Sequence, residues 1–182
     1  MRIISGEARG RRLKDLPGLD TRPTTDKVKE SIFNIVQFDI EGRRVLDLFS
    51  GTGQLGCEAL SRGAAFVTFV DQKREAARVT AENAKTVADP DRFEVLQRDA
   101  LAFVASKPGK YGLIFLDPPY RTGLAEKSLE AIAGIDIVAE HGIIVCETGV
   151  EEVLPPLAPP YEMGREYRYG KIKLTLYHRR EG

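Results

Sequence analysis

Residues 111–120 read Tyr-Gly-Leu-Ile-Phe-Leu-Asp-Pro-Pro-Tyr. Leu113, Ile114, Phe115 and Leu116 form a short all-apolar run, as expected of a strand buried on both faces of a parallel sheet. The run stops at Asp117. Pro118 and Pro119 have no N–H to give to a ladder, and Pro118 biases Asp117 away from helical geometry, so the chain leaves the sheet here. In open α/β sheets, ligands sit in the crevice beyond the carboxyl ends of the strands. Asp117, the Pro118 carbonyl and Tyr120 are therefore expected together at such an edge.

Strands and helices alternate on either side of this stretch. Gly42 ends an amphipathic helix whose apolar face is Val28, Ile32, Ile35 and Val36, and which Thr24 or Thr25 can cap. Core strands are predicted over 43–48, 66–70, 93–96, 113–116 and 143–146. Helices fall between them: from the glycine-rich turn to about residue 62, over 73–87, after Arg98-Asp99-Ala100, and over 123–133. A terminal antiparallel pair, 162–168 with 171–178, turns around Gly170. Residues 2–16 read as a glycine-bearing β-hairpin. The pattern implies a doubly wound α/β sheet with an antiparallel edge, in one domain, with residues 1–40 added to a core over 41–182.

The 182 residues are enough to bury a core without staples. Cys57 and Cys146 lack metal-ligand spacing and read as small core residues in a reducing cytoplasm. His141 and His178 also lack ligand spacing, and no metal is expected. There is no run long enough for a membrane span and no leader pattern. Net charge is zero, but unevenly distributed. Residues 1–29 hold eight Lys/Arg against four Asp/Glu, residues 161–182 hold six against three, and the centre carries a net −7. Such asymmetry points to a basic face for an acidic partner, with solvated termini as the plain alternative.

Phe49-Ser-Gly-Thr-Gly-Gln-Leu-Gly56 contains Gly51-x-Gly53-x-x-Gly56, and Asp71 follows at a distance suited to a ribose hydroxyl. A nicotinamide dinucleotide and S-adenosylmethionine both fit this pattern. Asp-Leu-Phe-Ser between strand and glycines weakens the first, and a hydride-transferring dehydrogenase has no evident use for Asp-Pro-Pro-Tyr. That string suits an exocyclic base amine. The Asp117 carboxylate and Pro118 carbonyl can hold its two N–H groups and aim the lone pair, while Tyr120 stacks on the base.

Taken together, Asp-Leu-Phe-Ser-Gly-Thr-Gly, Asp71, Arg98-Asp-Ala and Asp-Pro-Pro-Tyr resemble a class I amino-methyltransferase. Arg22-Pro-Thr-Thr-Asp-Lys-Val-Lys-Glu-Ser-Ile-Phe-Asn-Ile narrows the resemblance to the RsmD family of bacterial enzymes, and the opening Met-Arg-Ile-Ile-Ser-Gly and Tyr169-Gly-Lys-Ile-Lys-Leu-Thr-Leu-Tyr177 are similar too. Gln54 departs from the pattern, standing where many members carry a small or acidic residue. The resemblance implies a seven-stranded Rossmann-like fold and methylation of guanine N2 in small-subunit ribosomal RNA from S-adenosylmethionine. It implies cofactor contacts from Asp47, Phe49, Ser50, Gly51, Thr52, Gly53, Asp71, Gln72, Asp99 and Ala100, and chemistry at Asp117, Pro118, Pro119 and Tyr120. Arg9, Arg11, Arg12, Arg22, Lys27 and Arg168 are the phosphate candidates. A cytoplasmic monomer acting on ribosomal RNA or an assembled particle is expected. The alternatives are methylation of DNA adenine N6 or of a protein glutamine, a dehydrogenase, and a noncatalytic RNA-binding module.

Overall fold

The computed structural model describes residues 1–17 and 25–181. Among them, α1 (Asp26–Ile35) precedes an alternating series: β1 (Arg44–Leu48), α2 (Gln54–Ser61), β2 (Phe66–Asp71), α3 (Arg74–Val87), β3 (Phe93–Gln97), α4 (Ala100–Ala105), β4 (Tyr111–Leu116), α5 (Leu124–Ile135) and β5 (Val138–Gly149). The chain ends in β6 (Tyr161–Tyr169) and β7 (Ile172–Arg179). One seven-stranded sheet results, in the order β3-β2-β1-β4-β5-β7-β6. β1 to β5 pair in parallel, whereas β7 runs antiparallel to both β5 and β6. This is the doubly wound sheet with an antiparallel edge that the alternation predicts.

β4 is buried at all its positions and β1 from Val45 onward, as both-face coverage requires. Val45, Leu113 and Phe115 face α1 and α2, while Leu46, Ile114 and Leu116 face α4 and α5. Phe33 of α1 lies 5.5 Å from Phe115, ring centroid to ring centroid, and so seats the added helix on the central strand. Thr25 caps α1, its Oγ1 accepting from Val28 N at 3.3 Å; Thr24 lies outside the described residues. The two cysteines are buried and unbridged.

The sequence misses the length of β5. Only 143–146 reads as an apolar run, yet the strand begins at Val138, which pairs with Tyr111 before the register shifts ahead of Leu113 and Ile143. His141 adopts φ 63°, and a Cβ on Gly142 would lie 2.5 Å from Val138 Cγ1. This irregularity turns Glu140 and His141 to solvent, and such polar residues hide the start of a strand from any reading of apolar runs.

The predicted N-terminal hairpin is present as a short antiparallel pairing, with a bridge between Arg2 and Arg12 and backbone bonds from Ile3 N to the Arg11 carbonyl, Gly10 N to the Ile3 carbonyl and Leu13 N to the Met1 carbonyl. Beyond Ile3, its first arm directs N–H groups at α2. Ile4 N and Ser5 N donate to Glu58 Oε1 and Oε2 at 2.8 and 3.0 Å, and Ala8 N donates to Ser61 Oγ at 2.9 Å. Gly6 turns the strap at φ 93°, where a Cβ would stand 2.0 Å from the Ser61 carbonyl oxygen. Glu58 is fully buried. It also meets Lys29 Nζ of α1 at 3.2 Å and Arg62 Nε at 2.9 Å, and Lys29 Nζ donates to the Arg2 carbonyl at 3.1 Å. One carboxylate thus joins the strap, α1 and α2.

Glu58→Ala strips a counter-ion from the buried Lys29 and should cost about 3–5 kcal/mol. Adding Lys29→Met removes the stranded charge, so the double variant should recover part of that loss in urea unfolding. A double variant no more stable than Glu58→Ala would show that the ion pair is not the source.

Candidate active site

β1 ends between β2 and β4, where the strand order reverses, and there the chain makes its tightest turn. Phe49, Gly51 and Gly53 adopt φ of 68°, 59° and 82°. A left-handed conformation at phenylalanine is strained, and such strain gathers at functional sites. The loop is held from three sides. Asp71 Oδ2, at the end of β2, accepts from Gly51 N at 2.9 Å; Thr80 Oγ1 of α3 donates to the Gly51 carbonyl at 2.8 Å; Asn83 Nδ2 donates to the Thr52 carbonyl at 2.8 Å. Gly56 is needed for packing, since a Cβ there would lie 2.2 Å from Phe69 Cε1.

This turn opens a cavity of about 790 Å³, within the range of small-molecule sites. Every cofactor residue expected from the sequence lines it except Gly53, whose added Cβ would instead meet Thr80 Cγ2 at 2.9 Å. Asp117, Pro118, Pro119 and Tyr120 line the same cavity. The order β3-β2-β1-β4 places Asp71 and Asp99 on one side of the turn and Asp117 on the other. Thr122 Oγ1 donates to the Pro119 carbonyl at 2.8 Å and accepts from Leu124 N at 3.3 Å, bracing the Pro-Pro loop against the start of α5.

The carboxylates also have structural partners. Asp71 accepts from Gly51 N and, through Oδ1, from Lys73 N at 2.9 Å. Asp99 caps α4, accepting from Ala102 N at 2.9 Å. A carboxylate offers about four acceptor positions, so each keeps capacity for a ligand's hydroxyl or amine. Asp47 accepts from Gly56 N at 3.0 Å and so caps α2, whose N-cap Gly53 has no side chain for the task. Burial pushes the Asp47 carboxyl up to about 7, against the opposing pull of the Gly56 hydrogen bond and with a smaller push from Asp71.

The residues present fit S-adenosylmethionine. Carboxylate acceptors at the ends of β2 and β3 suit ribose hydroxyls and an adenine amine, with Val70, Ala100 and Leu101 as apolar walls. A Cβ on Gly51 would meet nothing within 4 Å, so that backbone stands open to close approach.

None of the phosphate candidates among the described residues lines the cavity. Arg9, Arg11, Arg12, Lys27 and Arg168 are exposed, and Arg22 lies outside the described residues. Arg168 faces away from the strap. It sits opposite Lys173 in the β6–β7 ladder, whereas Tyr167 and Tyr169 beside it pack against the cluster that holds Ile3 and Leu13. Glu140, His141 and Glu181 form an exposed group of potential metal ligands, and none of them lines the cavity.

A family model described as conserved hypothetical protein 95 matches residues 1–178. Ribosomal RNA small subunit methyltransferase D of Escherichia coli K12 is 36% identical over 98% of this chain and 90% of its own length. The chain belongs to the RsmD family. Another relative, the candidate rRNA methyltransferase YlbH of Bacillus subtilis, is 41% identical over 99% of this chain and all of its own length. The structure of yhhF, a candidate methyltransferase of Escherichia coli, superposes with a TM-score of 0.88 at 33% identity, covering 99% and 98% of the two chains.

Within this family member, the sequence reading overlooked three lining features: Asp15 and Leu16 from the strap, Arg98 before Asp99, and Glu147 at the end of β5. Asn83 brings the strap to the cavity. Its Oδ1 accepts from Lys14 N at 2.7 Å, its Nδ2 donates to the Lys14 carbonyl at 3.1 Å, and Leu16 packs on Ala76 and Val79. No local pattern announces such a long-range clamp. Glu147 did leave a signal, as a lone carboxylate closing the apolar run Ile143-Ile-Val-Cys146.

The raised Asp47 carboxyl makes stability depend on pH. Folded protein keeps this proton where the unfolded chain, near 3.9, has lost it, so the favourable term fades as pH rises from about 4 through about 7. The full span is at most about 4 kcal/mol. Asp47→Asn retains an acceptor for Gly56 N without the charge. Relative to wild type, the variant should therefore gain stability between urea titrations at pH 5 and pH 8; a constant difference would mean that Asp47 is ionised throughout.

Proposed function

We propose that this protein methylates the exocyclic N2 amine of a specific guanine in small-subunit ribosomal RNA, with S-adenosylmethionine as donor. Methylation of ribosomal RNA follows from the family and its named relatives. The observation that carries the finer reading is the convergence of Asp117, Pro118 and Tyr120 on the same cavity as the glycine turn and Asp71. The whole chain serves as one catalytic domain, a cytoplasmic monomer, with residues 1–40 laid over the core of 41–182. No described helix is long and apolar enough to cross a membrane.

Bound S-adenosylmethionine supplies a methyl group on a sulfonium, which departs as a neutral thioether as the N2–C bond forms. The protein's task is positioning and exclusion of water. The amine of guanine is a poor nucleophile because its lone pair is delocalised into the ring. Asp117 and the Pro118 carbonyl accept its two N–H groups and turn the lone pair toward the methyl carbon. Pro119 stiffens that carbonyl's loop. Tyr120 stacks on the extruded base, offsetting part of the unstacking cost. After transfer, the extra proton on N2 passes to Asp117 or to water. Arg9, Arg11 and Arg12 of the strap, together with Lys27, meet phosphates of ribosomal RNA or of an assembled small subunit; their exposure supports this reading.

Small subunits from a strain lacking the modification, incubated with the enzyme and labelled donor and digested to nucleosides, should carry the label in N2-methylguanosine at one site. Label in N6-methyladenosine would refute the guanine reading. Asp117→Ala should fold and bind donor normally but turn over roughly a hundredfold or more slowly, as when one preorganised polar group is removed from a reacting centre. A normal single-turnover rate would exclude the amine-orienting role.

A further inference from the structure

The cavity contains a carboxylate for which neither the fold nor the chemistry above has a use. Glu147 is 5% exposed, lines the cavity with Asp117 to Tyr120, and its buried Oε1 has no hydrogen-bond partner among the described residues. An unpaired buried carboxylate oxygen is costly, and native structures keep few of them. Such an atom, on a residue that lines a binding cavity, is accounted for by a donor that arrives with the ligand.

Its position selects the donor. Leu116 of β4 and Cys146 of β5 are the last residues paired in their ladder, so Asp117 and Glu147 stand side by side one step beyond. Phe115 and Val145 both face α1 and α2, and strand alternation turns Asp117 and Glu147 to that same side. Neighbouring parallel strands are about 4.8 Å apart, close enough for two carboxylates to converge on adjacent groups of one base edge.

We propose that Glu147 reads the Watson–Crick edge of the target base by accepting N1–H of guanine while Asp117 and the Pro118 carbonyl hold the N2 amine. Carboxylate oxygens are hydrogen-bond acceptors, and guanine is the base that offers donors at both a ring nitrogen and the adjoining amine. Adenine beside its N6 amine and cytosine beside its N4 amine each present a bare ring-nitrogen lone pair. Facing Glu147, that lone pair would oppose a carboxylate oxygen and leave it buried without a partner. Asp117-Pro118-Pro119-Tyr120 alone suits any exocyclic amine; Glu147 supplies the discrimination. The inference rests on the guanine N2 reading above and adds to it the residue that enforces the choice of base.

The test replaces the target guanine, once mapped, by 2-aminopurine in small-subunit RNA assembled around a synthetic fragment. This analogue keeps the 2-amine and has a lone pair where guanine has N1–H. Wild type should methylate guanine about a hundredfold or more faster than 2-aminopurine, because a site built to receive a hydrogen bond rejects the analogue that lacks it. Glu147→Gln should slow guanine methylation at least tenfold and shrink the guanine preference by at least tenfold, since a carboxamide can donate to the bare nitrogen. Its affinity for S-adenosylhomocysteine and its melting temperature should match wild type. Wild type that modifies both bases at similar rates overturns the proposal without recourse to any variant. So does a Glu147→Gln enzyme that keeps the full preference, or one whose defect lies in binding S-adenosylhomocysteine. Label outside N2-methylguanosine in the mapping experiment would instead mark a failure of the functional reading on which the proposal rests.

Discussion

Helix α2 is held by two buried carboxylates. Asp47 of β1 caps its first turn through Gly56 N, and Glu58, on the helix itself, binds the strap and α1 through Ile4 N, Ser5 N and Lys29. One end of the helix thereby fixes the glycine turn, and the other fixes the segment that lies over the sheet. A strap of some 16 residues paired only as a short hairpin is marginal at best by its own pairing. Its place is dictated by a carboxylate that accepts two of its N–H groups, and breaking that contact would leave a buried ammonium beside them. Asn83 then clamps Lys14 and Thr52 together, so the strap and the glycine turn are coupled at both ends of the cavity wall.

The parts of this fold that could be read from the sequence are those whose signal is local. An apolar run ending in Asp117-Pro-Pro locates β4 and its exit; alternation and Gly170 locate β6 and β7; the spaced glycines followed by Asp71 locate the turn between β1 and α2. The parts that could not be read depend on partners far along the chain. Glu58 and Asn83 look like ordinary polar residues on amphipathic helices, yet their contacts with the strap lie 53 to 69 residues away. Polar residues at the β5 irregularity conceal five residues of strand. Charge counting placed both termini on a common basic face, but strand alternation turns Arg168 away from the strap, because composition carries no information about which side of an edge strand a residue occupies.

The same division holds within the site. Asp71, Asp99 and Asp117 line the cavity and could be picked out in the sequence because each closes a strand or opens a helix in a familiar string. Asp71 and Asp99 also have a structural task, holding the glycine loop and capping a helix. Gly53 was assigned to the cofactor by the spacing of the glycines, yet it serves the turn and clearance from Thr80. Spacing identifies the backbone geometry that a ligand loop needs. It does not say which of those glycines faces the ligand.

The cavity is strongly acidic in a family whose relatives are named for a polyanion. Asp15, Asp47, Asp71, Asp99, Asp117 and Glu147 line it against Lys73 and Arg98, whereas Arg9, Arg11 and Arg12 stand exposed outside it. This segregation separates two tasks by range. Arginines at the surface attract phosphates over about a Debye length, but a phosphate could not enter among the carboxylates without a large electrostatic cost. What can enter is a cation or a group that donates hydrogen bonds: a sulfonium, an amine, the donor edge of a base. The same argument weighs against a dinucleotide. In sites of that kind the loop and helix N–H groups meet a pyrophosphate, whereas here Gly51 N and Gly56 N already donate to Asp71 and Asp47. A pyrophosphate would have to displace both side chains from the donors it requires.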